Sequence, residues 1–194
     1  MFWIVNLITL IISTLGLGYY YGHSVQPFCK QAKYNEDAFK KCGDYRLISG
    51  IFEIIIFLNY LVFFIVEIPR LPNIFNNQNY AHLIGMTLFI FGMIIMLISM
   101  QVVGLEVNKK KSKLTMLTGI YKYIRHPKTL GTMLVWFGVA TASNRLFLVL
   151  FTILLSLIYI YITYLEEDDL MLKYGDDYIK YRENTGRFLP RFKK

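Results

Sequence analysis

Charge is the scarcest feature of this 194-residue chain: only 18% of residues are ionisable while 55% are apolar, and mean hydropathy is +0.42. A soluble domain carries about 25% charge, so the composition excludes a soluble fold and places the chain in bilayer. Cysteine is almost absent. Cys29 and Cys42 have no further cysteine or histidine at metal-ligand spacing, and both fall in a segment assigned below to the reducing side of the membrane, so neither a disulfide scaffold nor a metal site is expected. There is no internal repeat, no low-complexity linker and no cleavage pattern after the first apolar run, which is therefore read as a retained helix. Gly16-Leu17-Gly18 follows no strand and lies within that run, which excludes a nucleotide fingerprint there. Gly18 and Gly22 have the small-xxx-small spacing that favours close helix packing, within one chain or across a dimer.

What is present is a set of long apolar runs: residues 2–22, 47–69, 83–103, and a pair at 130–143 and 146–165 separated by Ser143-Asn144-Arg145. A spanning helix uses about 20 residues. The 130–143 run would be roughly 21 Å long at helical rise, short for a span, and reads as one arm of a hairpin. The expected fold is an all-α membrane protein of about five transmembrane helices, the last two forming a helical hairpin, with a cytoplasmic C-terminal helical segment. It forms a single integral membrane domain over 1–194, with a three-helix part at 1–103 and a loop, hairpin and tail at 104–194.

Five alternating spans put nineteen of the 21 basic residues on one side and leave Arg70 and Arg145 on the other. By the positive-inside rule the N-terminus is outside and the C-terminus cytoplasmic. The net charge of +8 is then a topological signal, and no nucleic-acid partner is expected. With loops this short, no independent soluble catalytic domain fits, and any chemistry must come from helix ends, one loop and the tail.

Polar residues concentrate on both sides of the hairpin. Before it stands Thr118-Gly119-Ile120-Tyr121-Lys122-Tyr123-Ile124-Arg125-His126-Pro127-Lys128-Thr129; after it come Glu166-Glu167-Asp168-Asp169, Tyr174-Gly175, Tyr178, Tyr181, Arg187 and Pro190. A hairpin returns the chain to the side it left, so the two clusters meet at one rim, cation and imidazole facing carboxylates. Such a rim suits a zwitterionic ligand. Arg125 and Lys128 also read as interfacial basic residues that snorkel to phosphates. His126 before proline also reads as a helix-boundary residue. Glu53 and Glu67 lie in or at the end of the second span; an intramembrane carboxylate is a functional candidate, and Glu53 is the candidate for a substrate cavity.

The ordered set Gly119-x-Tyr121-x-x-x-Arg125-His126-Pro127, hairpin, Glu166-Glu167, Tyr174-Gly175, Tyr178, Tyr181, Arg187, Pro190 resembles the isoprenylcysteine carboxyl methyltransferase and phospholipid methyltransferase group of membrane enzymes. The resemblance covers about the last 80 residues. It implies methyl transfer from S-adenosylmethionine to a lipid-like or hydrophobic acceptor from the bilayer: a prenylcysteine carboxylate, a phospholipid amine or a small thiol. It also implies donor-binding positions. Lys113, Leu114, Thr115 and Met116 with Tyr121 would line the nucleoside side, His126 and Pro127 the methionine side, and Glu166 or Glu167, with Glu167 preferred, the ammonium. No metal is implied. Arg125, Glu167 and Arg187 are the candidates for a catalytic role.

The chain departs from the family twice. Thr129 stands where the family commonly has tyrosine, and the last helix lacks the arginine that would face a substrate carboxylate; Arg187 is the one substitute in the tail. Two other functions fit parts of the pattern. Membrane sterol reductases share the Arg-His-Pro hairpin and a Tyr-Gly-x-x-Tyr tail, use a nicotinamide cofactor and are longer. A small transporter would use Glu53 along its path. Monomer and homodimer are both open.

Overall fold

The computed structural model describes residues 2–65, 72–107 and 118–191, and all regular structure among them is helical. Seven α-helices follow in order: α1 (Phe2–Ser24), α2 (Pro27–Tyr34), α3 (Ala38–Ile65), α4 (Gln78–Val107), α5 (Pro127–Ala142), α6 (Leu146–Tyr174) and α7 (Asp176–Asn184). Four of them, α1, α3, α4 and α6, are long and apolar enough to cross a membrane, which makes this a multi-pass membrane protein. The fifth expected span, α5, has 16 residues, or about 24 Å of helix, and falls short of that length. The first loop expected from sequence is also largely helical: α2 and the start of α3 occupy it, so Lys40, Lys41 and Arg46 stand on α3.

Lipid is as apolar as leucine, so helices in a bilayer associate through close packing rather than through the hydrophobic effect. Glycines on α4 and α5 provide that closeness. A Cβ on Gly85 would lie 2.4 Å from the Ala142 nitrogen, on Gly92 2.7 Å from the Gly131 carbonyl oxygen, and on Gly138 2.6 Å from the Phe89 nitrogen. Backbone meets backbone along the whole antiparallel pair. The sequence carries a trace of this contact in the seven-residue spacing of Gly85 and Gly92 and of Gly131 and Gly138. Gly18 and Gly22 pack on Ile158 and Leu165 of α6, so their spacing serves packing within the chain. The core between α1, α3, α5 and α6 is built from Leu10, Ile56, Tyr60, Trp136, Leu155 and Tyr159.

Helix ends set the geometry of the polar rim. Pro127 occupies the first turn of α5 after His126 at φ −123, ψ 58; the residue before proline is driven from α geometry, and proline suits the first helical position. At the other end Asn144 adopts φ 59. Its side-chain oxygen accepts from the Phe75 nitrogen (2.8 Å) and its amide donates to the Phe75 oxygen (2.9 Å), docking the hairpin turn on the chain before α4. Gly175, at φ 55, ends α6 and lets α7 fold back. Buried Asp169 of α6 accepts from the Cys29 nitrogen (2.8 Å) in the first turn of α2. Both cysteines are free thiols, Cys29 exposed and Cys42 buried.

Candidate functional site

The segment before α5 and the tail after α7 run side by side. The Arg125 nitrogen donates to the Gly186 oxygen (2.9 Å) and the His126 nitrogen to the Arg187 oxygen (3.0 Å). This pairing brings three cationic or ionisable side chains onto one carboxylate. Glu167 Oε1 accepts from Arg125 Nε (3.0 Å), His126 Nε2 (3.0 Å) and Arg187 Nε (3.2 Å), and Oε2 accepts from Arg187 Nη2 (2.8 Å). The Glu167 side chain is 3% exposed. Arg125 also donates to the Arg182 and Thr185 carbonyls, and the Arg187 guanidinium lies 3.5 Å from the centre of the Tyr164 ring. Glu167 is thus the knot of a clamp that ties α6, the pre-α5 segment and the tail together.

The clamp accounts for several sequence candidates in structural terms. Arg125, half-buried, is engaged by Glu167 and by the Arg182 and Thr185 carbonyls. Arg187 is committed to Glu167 and Tyr164. Pro127 is buried and fixes where α5 begins.

Glu166, one residue earlier, points elsewhere. It lines a cavity of about 340 Å³ together with Tyr21 and Arg46 from the N-terminal half, Tyr121, Arg125, His126, Lys128 and Thr129 around the start of α5, and Leu170, Tyr174, Tyr178 and Tyr181 from the end of the chain. Its side chain is 41% exposed, and its Oε2 lies 3.5 Å from His126 Nδ1. Glu167 does not line this cavity. His126 therefore stands between the two carboxylates, its Nε2 in the clamp and its Nδ1 at the cavity wall.

Electrostatics follow from that position. Burial works to depress the His126 pKa, but hydrogen bonds to Glu166 and Glu167 and their negative charges outweigh it, and the imidazole is held above its ordinary value. Tyr121 is pushed up to about 12 by burial and then by the charge of Glu166. Tyr178 and Tyr181 rise as well, chiefly through burial. Tyr121, Tyr178 and Tyr181 are neutral hydroxyls across physiological pH.

One polar atom at this wall lacks a partner. The Tyr178 hydroxyl is buried and makes no hydrogen bond among the described residues, whereas the Tyr181 hydroxyl donates to the Tyr121 oxygen (2.6 Å). A buried unsatisfied hydroxyl costs roughly 1–3 kcal/mol; Tyr178 lines the cavity with other atoms, and its hydroxyl has no surface open to it.

Of the sequence candidates, the structure brings Tyr121, Arg125, His126 and Glu166 to the cavity and Glu167 and Arg187 to the clamp behind it. Lys113, Leu114, Thr115 and Met116 lie outside the described residues. Glu53 borders a second, smaller cavity of about 180 Å³ that shares Tyr21, Arg46 and Lys128 with the first. Sequence reasoning missed Tyr21 and Arg46. Arg46 is the last charge before an apolar run, a position that usually means only a membrane boundary, and nothing local to it marks a cavity wall.

Fold and site together define a multi-pass, all-helical membrane protein with a polar, tyrosine-lined cavity at one end of the bundle. Residues 3–185 match the family model described as protein of unknown function (DUF1295), and the chain belongs to that family. No curated protein and no solved structure matches it.

Proposed function

We propose that the protein is a membrane methyltransferase that binds S-adenosylmethionine in the 340 Å³ cavity and methylates a hydrophobic acceptor from the bilayer. The observation that carries the reading is Glu166, a carboxylate that meets the clamp through His126 Nδ1 and otherwise faces, with Lys128, a tyrosine-lined cavity. The donor is a zwitterion joined to a nucleoside, and each part meets suitable chemistry. Glu166 pairs with the ammonium, Lys128 with the carboxylate, and Tyr121, Tyr174 and Tyr181 give aromatic faces to the purine. The volume lies at the lower end of the range of about 300–1,000 Å³ for small-molecule sites, which suits a single nucleoside better than a dinucleotide and favours methyl transfer over reduction.

When bound, the donor supplies an electrophilic methyl group, and the chain's task is orientation and exclusion of water. Glu166 and Lys128 fix the amino-acid end. The Glu167 clamp holds His126 and the start of α5 in register with α6. In this reading α5 is the fifth crossing helix, short but packed along α4, the cavity faces the cytoplasm, and the N-terminus lies outside, an orientation the distribution of basic residues favours.

The test is to incubate membranes containing the protein with methyl-labelled S-adenosylmethionine and follow label into the organic-extractable fraction. Protein-dependent labelling, lost in Glu166→Gln, is expected. Absence of labelling together with tight binding of a reduced nicotinamide dinucleotide would replace methyl transfer by reduction.

A further inference from the structure

Glu53 lies on α3 seven residues beyond Arg46, about 10 Å along the helix, in an apolar run with no other charge before Glu67. A carboxylate at that depth is costly to hold and is a functional candidate. One of its oxygens is engaged. Oε1 accepts from the Tyr159 hydroxyl (2.9 Å), which itself accepts from Trp136 Nε1 (3.3 Å). Oε2 has no partner among the described residues, and no ion pair joins the carboxylate to Arg46 or Lys128, although both border the same 180 Å³ cavity. Glu167, by contrast, takes four hydrogen bonds. Glu53 is therefore held in direction by Tyr159 and left with acceptor capacity to spare.

The small cavity adjoins the donor cavity, because Tyr21, Arg46 and Lys128 line both. Tyr21 comes from α1, Arg46 and Ser49 from α3, Lys128 from α5 and Tyr159 from α6, and Glu53 is the one carboxylate among the groups gathered there. From this placement we propose that Glu53 is the catalytic base that takes the acceptor's proton, so that the acceptor is a nucleophile bearing N–H, S–H or O–H and not a carboxylate. The inference rests on the methyl-transfer reading and adds to it the group that handles the proton.

The step balances without a further reactant. A lone pair of the acceptor atom forms the bond to the methyl carbon, the carbon–sulfur bond of the donor breaks with its electron pair left on sulfur, and the acceptor's proton passes to Glu53 Oε2. A sulfonium cation and a carboxylate anion become a neutral thioether and a neutral carboxylic acid. Loss of opposite charges together is favoured where the dielectric is low. Arg46 and Lys128, at the junction of the two cavities, offset the negative charge that gathers on the acceptor atom as its proton leaves. A carboxylate acceptor would have no proton to give and would meet Glu53 as a like charge.

The first arm of the experiment uses no donor. Trp3→Phe leaves Trp136 as the remaining tryptophan of two, and Trp136 senses Glu53 through Tyr159. The protein in nanodiscs is titrated with 1-decanol and separately with decyl methyl ether, spectroscopically silent probes that share a chain and differ in whether the oxygen bears a proton. A saturable change in Trp136 emission is expected with decanol at about tenfold lower bilayer content than with the ether, as a hydrogen bond to a charged acceptor warrants. Glu53→Gln, whose side-chain oxygen still accepts from Tyr159, should erase that preference. Equal responses to the two probes overturn the proposal, as do the lack of a saturable response to either and a preference that survives Glu53→Gln. Should Glu53→Gln fail to fold, the wild-type comparison decides alone.

The second arm adds methyl-labelled S-adenosylmethionine and follows label into the membrane extract. Glu53→Gln should lower the rate at least about 100-fold near neutral pH, and the rate should recover as pH rises and the acceptor ionises unaided. An unchanged rate, or a loss that does not recover, overturns the proposal. Absence of label with the wild type overturns the methyl-transfer reading instead, and the probe titration still decides whether Glu53 receives a proton-bearing group.

Discussion

Two neighbouring carboxylates on the last long helix have opposite surroundings. Glu167 is buried and saturated by two guanidinium groups and an imidazole, while Glu166 lines an open cavity and touches the far side of the same imidazole. On an α-helix adjacent residues point about 100° apart, so one turn of α6 supplies both a structural knot and part of a cavity wall. Residue type alone does not separate the two roles; the number of partners already in place does.

The contrast predicts effects that differ in kind. The largest is on folding: Glu167→Ala leaves buried cations without a counter-charge, and breaking such a pair by removing one partner costs about 3–5 kcal/mol. A thermal melt in detergent should show a much lower midpoint and proteolysis should release the tail after residue 175. A melt unchanged from wild type would mean that Glu167 is not the knot.

Next in size is Arg187→Lys, which keeps the charge but removes the bidentate contact and the stacking on Tyr164. It should destabilise by about 1–2 kcal/mol, read by the same melt, with donor affinity falling less than stability. Tyr178→Phe should go the other way. It removes an unsatisfied buried hydroxyl, so the same melt should show stability holding or rising by up to about 1 kcal/mol.

The smallest effect concerns pH. The His126 pKa is raised in the folded protein, so its contribution to stability is complete below the unfolded value of about 6.5 and is lost as pH rises through the folded value. The melting midpoint should therefore decline as pH increases above about 6.5, and His126→Gln should flatten that slope.

Much of this architecture is written locally. The apolar runs, the proline after His126 and the glycine at 175 mark helices and their ends, because turn chemistry and burial act over a few residues. The tail and the pre-α5 motif stand out for the same reason: ionisable residues are rare in this chain, and a cluster of them is conspicuous. That Glu167 is engaged in the clamp while Glu166 lines the cavity was not legible, since it depends on Arg187 arriving from beyond α7. Nor were Tyr21 and Arg46, which reach the cavity only because α1 and α3 pack beside α6. The backbone contact of α4 with α5 left a faint signal in its glycine spacing, and α5 proved too short to be counted among the spans by length.

The central claim is that the cavity lined by Glu166, and not the clamp behind it, receives the donor. Calorimetric titration of S-adenosylhomocysteine into the purified protein tests it most directly, comparing wild type with Glu166→Gln under conditions where both have the same melting midpoint. The account predicts one saturable site in wild type and affinity at least about tenfold weaker in the variant, some 1.4 kcal/mol. Binding of equal strength in the two proteins, or no binding to the wild type, would contradict it.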